Sequence, residues 1–347
     1  MARFLGSQRD SFRSGIRLPA GGWIVLVSFL VIGPAWAAPA APASPKEIYH
    51  EAQGLFKKND YAKTTALLWK NVERLDRAGI ILLIKAHEAK KEWNDVIRAA
   101  NLWLGKNNND EEVLTFLGRA QFMRQRKPDE AKETLKKAIE VNPKYQPAYE
   151  VLAEIYEKNP YERRLLYQDM IEAFGPRADF LTKLCELNAN DGENEQGEAV
   201  CKQAIGVNPK IADNHVYLGI IAKQKGEEDK AGRLLKAAAD KFPSSELAQY
   251  EIAAYYESQK NWVDSAKYYE ACLLADKNSE RCLVGVGNSG IQLKKFERAH
   301  DAFQAACRRN GRKHTPIVRR AASSLRQMKA LEWAEKLETV AERCAFQ

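Results

Sequence analysis

The chain has 347 residues, of which 45% are hydrophobic and 29% are charged. This composition excludes a disordered chain, and 20 Gly with 13 Pro are too few for a fibrous protein. The net charge of +8 is concentrated in two places: residues 1–37 contribute +3 and residues 308–329 contribute +8, so the rest sums to −3. A basic excess confined in this way, without a groove-entering motif or interleaved aromatic residues, does not predict nucleic-acid binding.

The first segment predicts an export signal. Arginines precede an apolar run at 23–32, and Ala-Trp-Ala at 35–37 gives the small-x-small pattern that signal peptidase accepts. The run is about ten residues long, whereas a membrane-spanning helix needs about twenty. We therefore expect a signal peptide at 1–37, a Pro/Ala tether at 38–45 and, in a diderm bacterium, a soluble periplasmic protein. An uncleaved leader that anchors the protein to the membrane is the alternative.

The mature chain repeats itself with a period of about 34 residues. Prolines recur at Pro143, Pro176, Pro209 and Pro243, with spacings of 33, 33 and 34 residues. A fixed period of this length is the sequence pattern of a helical solenoid.

The clearest unit lies between Pro209 and Pro243 and contains Gly219, Ala231, Leu235 and Ala238. Small residues at 219 and 231 let two antiparallel helices approach closely, Leu235 fills the gap one turn further on, and Ala238 admits the next unit. This pattern resembles the tetratricopeptide repeat, a helix-turn-helix family, over nearly all of residues 45–313. The resemblance implies an all-α fold: a right-handed superhelical solenoid of about eight repeats at 46–313, with a C-terminal helical cap at 314–347.

The fourth unit departs most from the pattern. Arg163 and Arg164 stand where a small residue is expected. They predict either a specialised hinge or sequence drift with a wider helix crossing.

The sequence does not predict an enzyme. The five histidines lie in different units or loops, and no HExxH, CxxC, GxSxG or GxxxxGKS motif occurs. His300 and Asp301 are adjacent on a predicted helix and point about 100° apart, so they favour a solvated pair over half of a triad. We expect no cofactor and no metal.

In tetratricopeptide repeat proteins the first helix of each pair lines the concave surface, so the resemblance implies that a peptide or protein partner binds there. The candidate residues lie on first helices outside the packing pattern: Tyr49, Gln53, Lys85, Arg119, Phe122, Glu150, Glu154, Glu157, Glu186, Tyr250, Glu257 and Asn288. Three of them, Glu150, Glu154 and Glu157, share one helix face. They predict either an acceptor for a basic or amide-rich peptide or a solvated face balanced by Arg119 and nearby lysines. The family's carboxylate clamp is not carried over, because Tyr49, Gln53 and Ile81 replace its residues.

The basic segment 308–329 has two interpretations. It either makes a weak contact with an anionic lipid, polymer or partner, or keeps the terminal cap soluble. Its leading basic residues are Arg308, Arg309, Arg312, Lys313, Arg319 and Arg320.

Six cysteines in an exported chain allow fifteen complete pairings, and the repeat register narrows this choice. Cys185 and Cys201 take the positions of Gly219 and Leu235, which face each other within one helix pair. Cys272 takes the position of Ala238, which packs on the following helix, and Cys282 lies near that helix's start. We therefore expect bridges Cys185–Cys201, Cys272–Cys282 and, by elimination, Cys307–Cys344; buried free thiols are the alternative.

Together these features predict an exported, non-enzymatic adaptor that binds a peptide or protein during envelope assembly or secretion. An accessory factor that holds a cell-wall polymer and a membrane-anchored structural repeat protein are the alternatives. Neither the partner nor the oligomeric state follows from the sequence.

Overall fold

A computed structural model of the protein describes residues 44–125 and 128–345. The predicted signal peptide and most of the predicted tether lie outside these residues. The chain divides into two units, Met1–Ser44 and Pro45–Gln347, and all described helices belong to the second. Among the described residues no helix is both long and apolar enough to cross a membrane.

The described part of the second unit is all-α, and its helices pack in consecutive antiparallel pairs followed by a terminal pair. The first four pairs are α1 (Pro45–Lys57) with α2 (Tyr61–Lys70), α3 (Arg77–Ala89) with α4 (Trp93–Leu104), α5 (Glu111–Gln125) with α6 (Pro128–Val141), and α7 (Gln146–Ile155) with α8 (Pro160–Phe174). The next four are α9 (Ala178–Asp191) with α10 (Asn194–Val207), α11 (Ala212–Gln224) with α12 (Glu228–Lys241), α13 (Glu246–Ser258) with α14 (Trp262–Ala275), and α15 (Glu280–Gln292) with α16 (Phe296–Arg309). The cap consists of α17 (Gly311–Gln327) and α18 (Leu331–Ala345), and a 3₁₀ turn at Val72–Arg74 follows α2. The predicted all-α class and eight helix pairs are confirmed.

The last four of the eight pairs each turn at a residue in the left-handed region, whereas the turn between α7 and α8 has no such residue. Gly192, Gly226, Lys260 and Lys294 have φ between +58° and +77° and follow one another at intervals of 34 residues. A left-handed residue after a helix ends it and satisfies its last carbonyl groups. The lysines therefore adopt a backbone conformation that favours glycine, because the repeat geometry imposes it.

The predicted small-to-large contact is present in the third and sixth pairs. A Cβ built on Gly219 would lie 2.6 Å from Leu235 Cδ2, and one built on Gly118 would lie 2.6 Å from Leu135 Cγ. Both leucines are at most 1% exposed. The backbones of first and second helices therefore approach as closely as the spacing predicted.

The cysteines pair as the repeat register predicted. The structure joins Cys185 to Cys201, Cys272 to Cys282 and Cys307 to Cys344, with Cα–Cα distances of 4.9, 6.1 and 5.3 Å. These distances lie within the range that a disulfide spans. The first bridge replaces a glycine–leucine contact, the second joins two pairs, and the third ties α18 to α16.

The fourth pair is irregular, and Arg163 stands in the small-residue position, because it is the fourth residue of α8 as Ala131 is of α6 and Ala231 is of α12. The buried residues of α8 are Leu166 and Met170, its seventh and eleventh residues, whereas those of α6 are its fourth, eighth and eleventh. The crossing of α7 and α8 therefore lacks the buried small residue of a regular pair, which favours the predicted wider crossing. Arg164 pairs with Asp191, at the end of α9.

The cap begins earlier than predicted. Helix α17 starts at Gly311 rather than at 314, because the Asn310 side chain accepts a hydrogen bond from the Lys313 amide at 3.2 Å. Its buried face includes Val318 and Leu325, which belong to the same apolar cluster as Leu337 of α18. The same cluster contains Ile291 of α15 and Phe303 of α16, so the cap shares a core with the last helix pair.

Candidate functional site

The predicted site lies on the first helices of the pairs, and polar contacts join these helices to one another. Glu88 of α3 pairs with Arg119 of α5 at 3.3 Å, and the Asn214 amide of α11 donates to Thr182 Oγ1 of α9 at 3.0 Å. We call the exposed surface of α1, α3, α5, α7, α9, α11, α13, α15 and α17 the first-helix face. The structure leaves all twelve predicted side chains on it at least partly exposed.

The N-terminal part of the first-helix face neutralises its own charges. Lys85 pairs with Glu112 at 3.2 Å, while Arg119 pairs with Glu88 on the neighbouring helix. On α1 the Gln53 amide donates to the Tyr49 hydroxyl oxygen at 2.9 Å. These predicted residues therefore already have partners within the protein; Phe122, near the end of α5, is partly exposed.

The predicted acidic patch is exposed, but its three residues do not share one helix. Glu150 and Glu154 lie on α7, whereas Glu157 lies in the turn after α7 ends at Ile155. All three are open to solvent, and Glu150 accepts a hydrogen bond from the Gln146 amide at 2.8 Å. Arg119 pairs with a glutamate of α3, so it is not the counter-ion that the charge-balanced interpretation requires. On α9 the predicted Glu186 pairs with Lys183 at 2.8 Å.

An aromatic and charged platform, which the sequence did not reveal, surrounds Tyr250. The Arg281 guanidinium lies 4.2 Å from the centroid of the Tyr250 ring, and its Nε donates to Glu246 at 2.7 Å. The Tyr269 ring lies 6.0 Å from that of Tyr250. Glu246 and Arg281 are 35 residues apart and come from consecutive first helices, so only the register of the two helices brings them together.

Partly buried carboxylates adjoin this platform. Burial raises the pKa of Glu251, although Arg281 opposes the shift. Burial, with the neighbouring charge of Glu186, also raises the pKa of Asp213. The pKa of the Tyr217 hydroxyl is raised first by its burial and then by these three carboxylates. The centre of the first-helix face therefore favours a positively charged or hydrogen-bond-donating neighbour.

A cavity of about 280 Å³ opens between α13, α15 and α17. Its lining includes the predicted Glu257 and Asn288, together with Arg320 of the basic segment. The carboxylate of Glu257 accepts hydrogen bonds from the Tyr269 hydroxyl and, at 3.4 Å, from the Asn288 amide. Trp262 contributes an aromatic wall. The structure thus brings residues of the predicted first-helix site and of the basic segment together in one cavity.

The basic segment is partly neutralised. Lys313 pairs with Glu280 at 2.9 Å, and Arg308 and Arg309 donate to Gln304 and Asn278. Three exposed arginines of α17 have no hydrogen-bond or ion-pair partner among the described residues: Arg312, Arg319 and Arg320.

Two groups of potential metal ligands do not fit a metal. Cys272 and Cys282 lie beside Glu246, but their sulfur atoms are bonded to each other. In the other group, the Trp69 indole N–H donates to His87 Nε2 at 2.6 Å, so the ring proton is on Nδ1 and donates to Glu92 at 2.7 Å. A protonated Nδ1 cannot bind a metal ion.

Part of the chain is similar in sequence to a known repeat family. The family model described as tetratricopeptide repeat matches residues 111–145. A search of curated proteins gives no match. Similar solved structures include a tetratricopeptide repeat protein from Parabacteroides merdae (15% identity, TM-score 0.49, covering 86% of this chain and 98% of that chain) and yeast Tom70 (14%, 0.46, 86% and 82%). Another is YrrB, described as a TPR protein with an unusual peptide-binding site (14%, 0.40, 53% and 96%).

The fold and the first-helix face define a helical-repeat protein of the class that offers extended surfaces to partners. One helix pair, at residues 111–145, matches the tetratricopeptide repeat family by sequence, and a later pair repeats its close helix packing. This fold is typically a non-catalytic scaffold whose members bind peptides or proteins.

Proposed function

We propose that the protein is an exported, non-enzymatic adaptor that binds an extended peptide or protein segment along a concave first-helix face. The cavity at Glu257, Asn288 and Arg320 carries the proposal. It offers a carboxylate, an amide and an unpaired cation beside the Trp262 ring, so it can hold a polar peptide backbone and one apolar side chain. The exposed carboxylates of α7 extend the same surface toward basic residues of the partner.

Photo-crosslinking in cells tests this proposal. A benzoylphenylalanine introduced at Asn288 is expected to capture polypeptide, which mass spectrometry of the conjugate identifies. The same residue introduced at Gln304 of α16, outside the first-helix face, is the control and should not capture that polypeptide. Recovery of carbohydrate polymer at 288 would overturn the adaptor proposal and support the polymer-holding alternative.

Substitutions then locate the binding surface. Asn288→Ala, Arg320→Ala and Glu154→Ala should each reduce recovery of the captured partner several-fold. Because these side chains are at least partly exposed, the free energy of unfolding should change by less than about 0.5 kcal/mol. Arg298→Ala is the matched control for Arg320→Ala, since Arg298 lies on α16 and pairs with Glu270. Equal loss in both arginine variants would contradict a site on the first-helix face.

Export is a separate part of the proposal and depends on the sequence of residues 1–37. Intact-mass measurement is expected to find a mature N-terminus at Ala38 and the protein in the soluble envelope fraction. Ala37→Phe should block processing, because the peptidase accepts only a small side chain there. Protein in the membrane pellet with Met1 retained would support the membrane-anchored alternative.

A further inference from the structure

The irregular fourth pair creates a groove away from the first-helix face. Arg163 occupies the position that Ala131 and Ala231 occupy in regular pairs, and it is partly exposed whereas both alanines are buried. A cavity of about 310 Å³ lies between α6, α7 and α8. Leu152 and Tyr156 of α7 line this cavity. The groove therefore lies in the pair whose helix crossing lacks a buried small residue.

The groove continues into exposed apolar surface. Leu165 lines it and is 40% exposed, and Tyr161, one helical turn earlier on α8, is 60% exposed. Residues four apart on a helix share one face, so the two side chains extend the cavity outward. Contiguous exposed apolar surface of this kind marks interaction sites more often than isolated apolar residues do.

The rim of the groove carries an excess of negative charge. Glu140 of α6 and Glu162 and Asp169 of α8 surround it, against the single ammonium of Lys136. Among the described residues none of these four side chains forms an ion pair. Burial, with the neighbouring charge of Glu172, raises the pKa of Asp169. A cation beside the rim would stabilise the ionised Asp169 carboxylate and so offset its desolvation and its repulsion from Glu172.

We propose that this groove binds a polypeptide segment of a partner protein that presents a leucine-sized apolar side chain flanked by lysine or arginine. The apolar side chain enters the cavity beside Leu152 and Leu165, and the flanking cations pair with Glu162 and Asp169. The commitment to a basic segment follows from charge complementarity with the rim. This second surface is independent of peptide binding on the first-helix face.

A displayed library of random peptides, selected on the full mature chain, tests the proposal. The enriched peptides are expected to share a large apolar residue with Lys or Arg within one helical turn. Fluorescence anisotropy of a synthetic enriched peptide should show at least a tenfold loss of affinity with Leu165→Asp and several-fold with Asp169→Asn. The affinity should also fall as salt rises from 50 to 500 mM, because the ion pairs lie at the surface.

Matched variants separate the groove from general effects. Leu274→Asp replaces a leucine of α14 that is 90% exposed, and Asp229→Asn replaces an exposed aspartate of α12; both should bind the peptide as the unaltered chain does. Helix content measured by circular dichroism confirms folding of each variant. Equal binding by the Leu165→Asp variant, or enriched peptides without basic residues, would overturn the proposal. Self-association in sedimentation that Leu165→Asp abolishes would instead identify a second copy of this chain as the occupant.

The groove proposal and the proposal of binding on the first-helix face can be tested independently of each other. Asn288→Ala should leave the selected peptide's affinity for the groove unchanged, and Leu165→Asp should leave crosslinking at position 288 unchanged. Loss of the groove peptide in the Asn288→Ala variant would place that peptide on the first-helix face and would contradict the groove proposal.

Discussion

Gly219 lies where α11 crosses α12, and the crossing leaves no room for even one additional carbon. A Cβ there would lie 2.6 Å from Leu235 Cδ2 and 3.3 Å from the Leu235 backbone nitrogen. Leu235 is 1% exposed and cannot move aside, so the helices themselves would have to separate. At the equivalent positions of the fifth pair, a bond between Cys185 and Cys201 replaces the glycine–leucine contact.

We therefore expect Gly219→Ala to lower the free energy of unfolding by about 1–3 kcal/mol through overpacking. Gly206→Ala is the matched control, because a Cβ on this exposed α10 residue would meet nothing within 4 Å. That substitution should raise stability by a few tenths to about 1 kcal/mol, as alanine favours a helix over glycine. Urea denaturation followed by circular dichroism measures both. A similar effect of the two substitutions would show that close approach is not what Gly219 provides.

Glu251 makes the stability of the folded protein depend on pH. Since burial raises its pKa in the folded chain above the ordinary value of 4.5, the folded protein binds a proton more readily than the unfolded chain does. Ionised Glu251 therefore lowers stability at neutral pH, and this penalty disappears as the pH falls below 4.5. Glu251→Gln should stabilise the protein at pH 7 and make little difference near pH 4.

Thermal unfolding at several pH values measures this difference. Glu195→Gln, on an exposed face of α10, is the control and should give no such pH-dependent gain. Destabilisation by Glu251→Gln at pH 7 would mean that attraction to Arg281 outweighs burial, and the expected sign would be wrong.

At the level of helices, the sequence predicts contacts that depend on spacing and misses those that depend on rotation. Gly219 and Leu235 are sixteen residues apart in one pair, so the repeat period alone places them together. The Glu246–Arg281 ion pair requires the relative orientation of α13 and α15, which no spacing specifies. The cavity beside Leu166 is missed for a related reason: it depends on how α8 packs against α6 and α7, which the spacing of residues does not specify.

The third disulfide is expected to hold the cap in place. Cys307 and Cys344 are 37 residues apart, and closing a loop of this length stabilises by about 3–4 kcal/mol in the chain-entropy account. The double substitution Cys307→Ala with Cys344→Ala should lower stability by that order and speed amide hydrogen exchange throughout α18. The control is Cys185→Ala with Cys201→Ala, which opens a bridge inside one pair and should leave exchange in α18 unchanged. Slow exchange in α18 without its bridge would show that packing alone anchors the cap.

Non-reducing peptide mapping of protein isolated from the envelope checks the pairing itself. We expect the three bridges and no others, because each joins cysteines whose Cα atoms the fold places within the range that a disulfide spans. Six alkylatable thiols, or a bridge between Cys201 and Cys272, would contradict this arrangement.

Among the described residues, negative and positive charges are concentrated on different helices. The exposed carboxylates of α7 and the partly buried ones near Tyr217 occupy the middle of the first-helix face, whereas α17 contains five basic residues and no acidic one. The sequence showed the basic segment clearly, since its residues are close in the chain. It could not show that Arg320 reaches the cavity beside Asn288, because that depends on how the cap packs on α15.

The unpaired arginines of the cap predict a weak contact with anionic surfaces. Arg312, Arg319 and Arg320 lie seven and eight residues apart, so they share one side of α17. Each cation near an anionic membrane contributes about 1 kcal/mol at most, and salt screens the attraction. The mature protein should therefore sediment with phosphatidylglycerol vesicles at about 20 mM salt and not at about 500 mM. Replacing the three arginines by glutamine should abolish binding.

A matched triple variant distinguishes this patch from net charge. Lys202→Gln, Lys236→Gln and Arg298→Gln remove three cations that pair with Glu198, Asp240 and Glu270 on second helices. Both triple variants change the net charge equally, so only the position of the lost cations differs. If the control variant also loses vesicle binding, general charge rather than α17 drives the contact. If neither binds less than the unaltered chain, the basic segment serves only to keep the cap soluble.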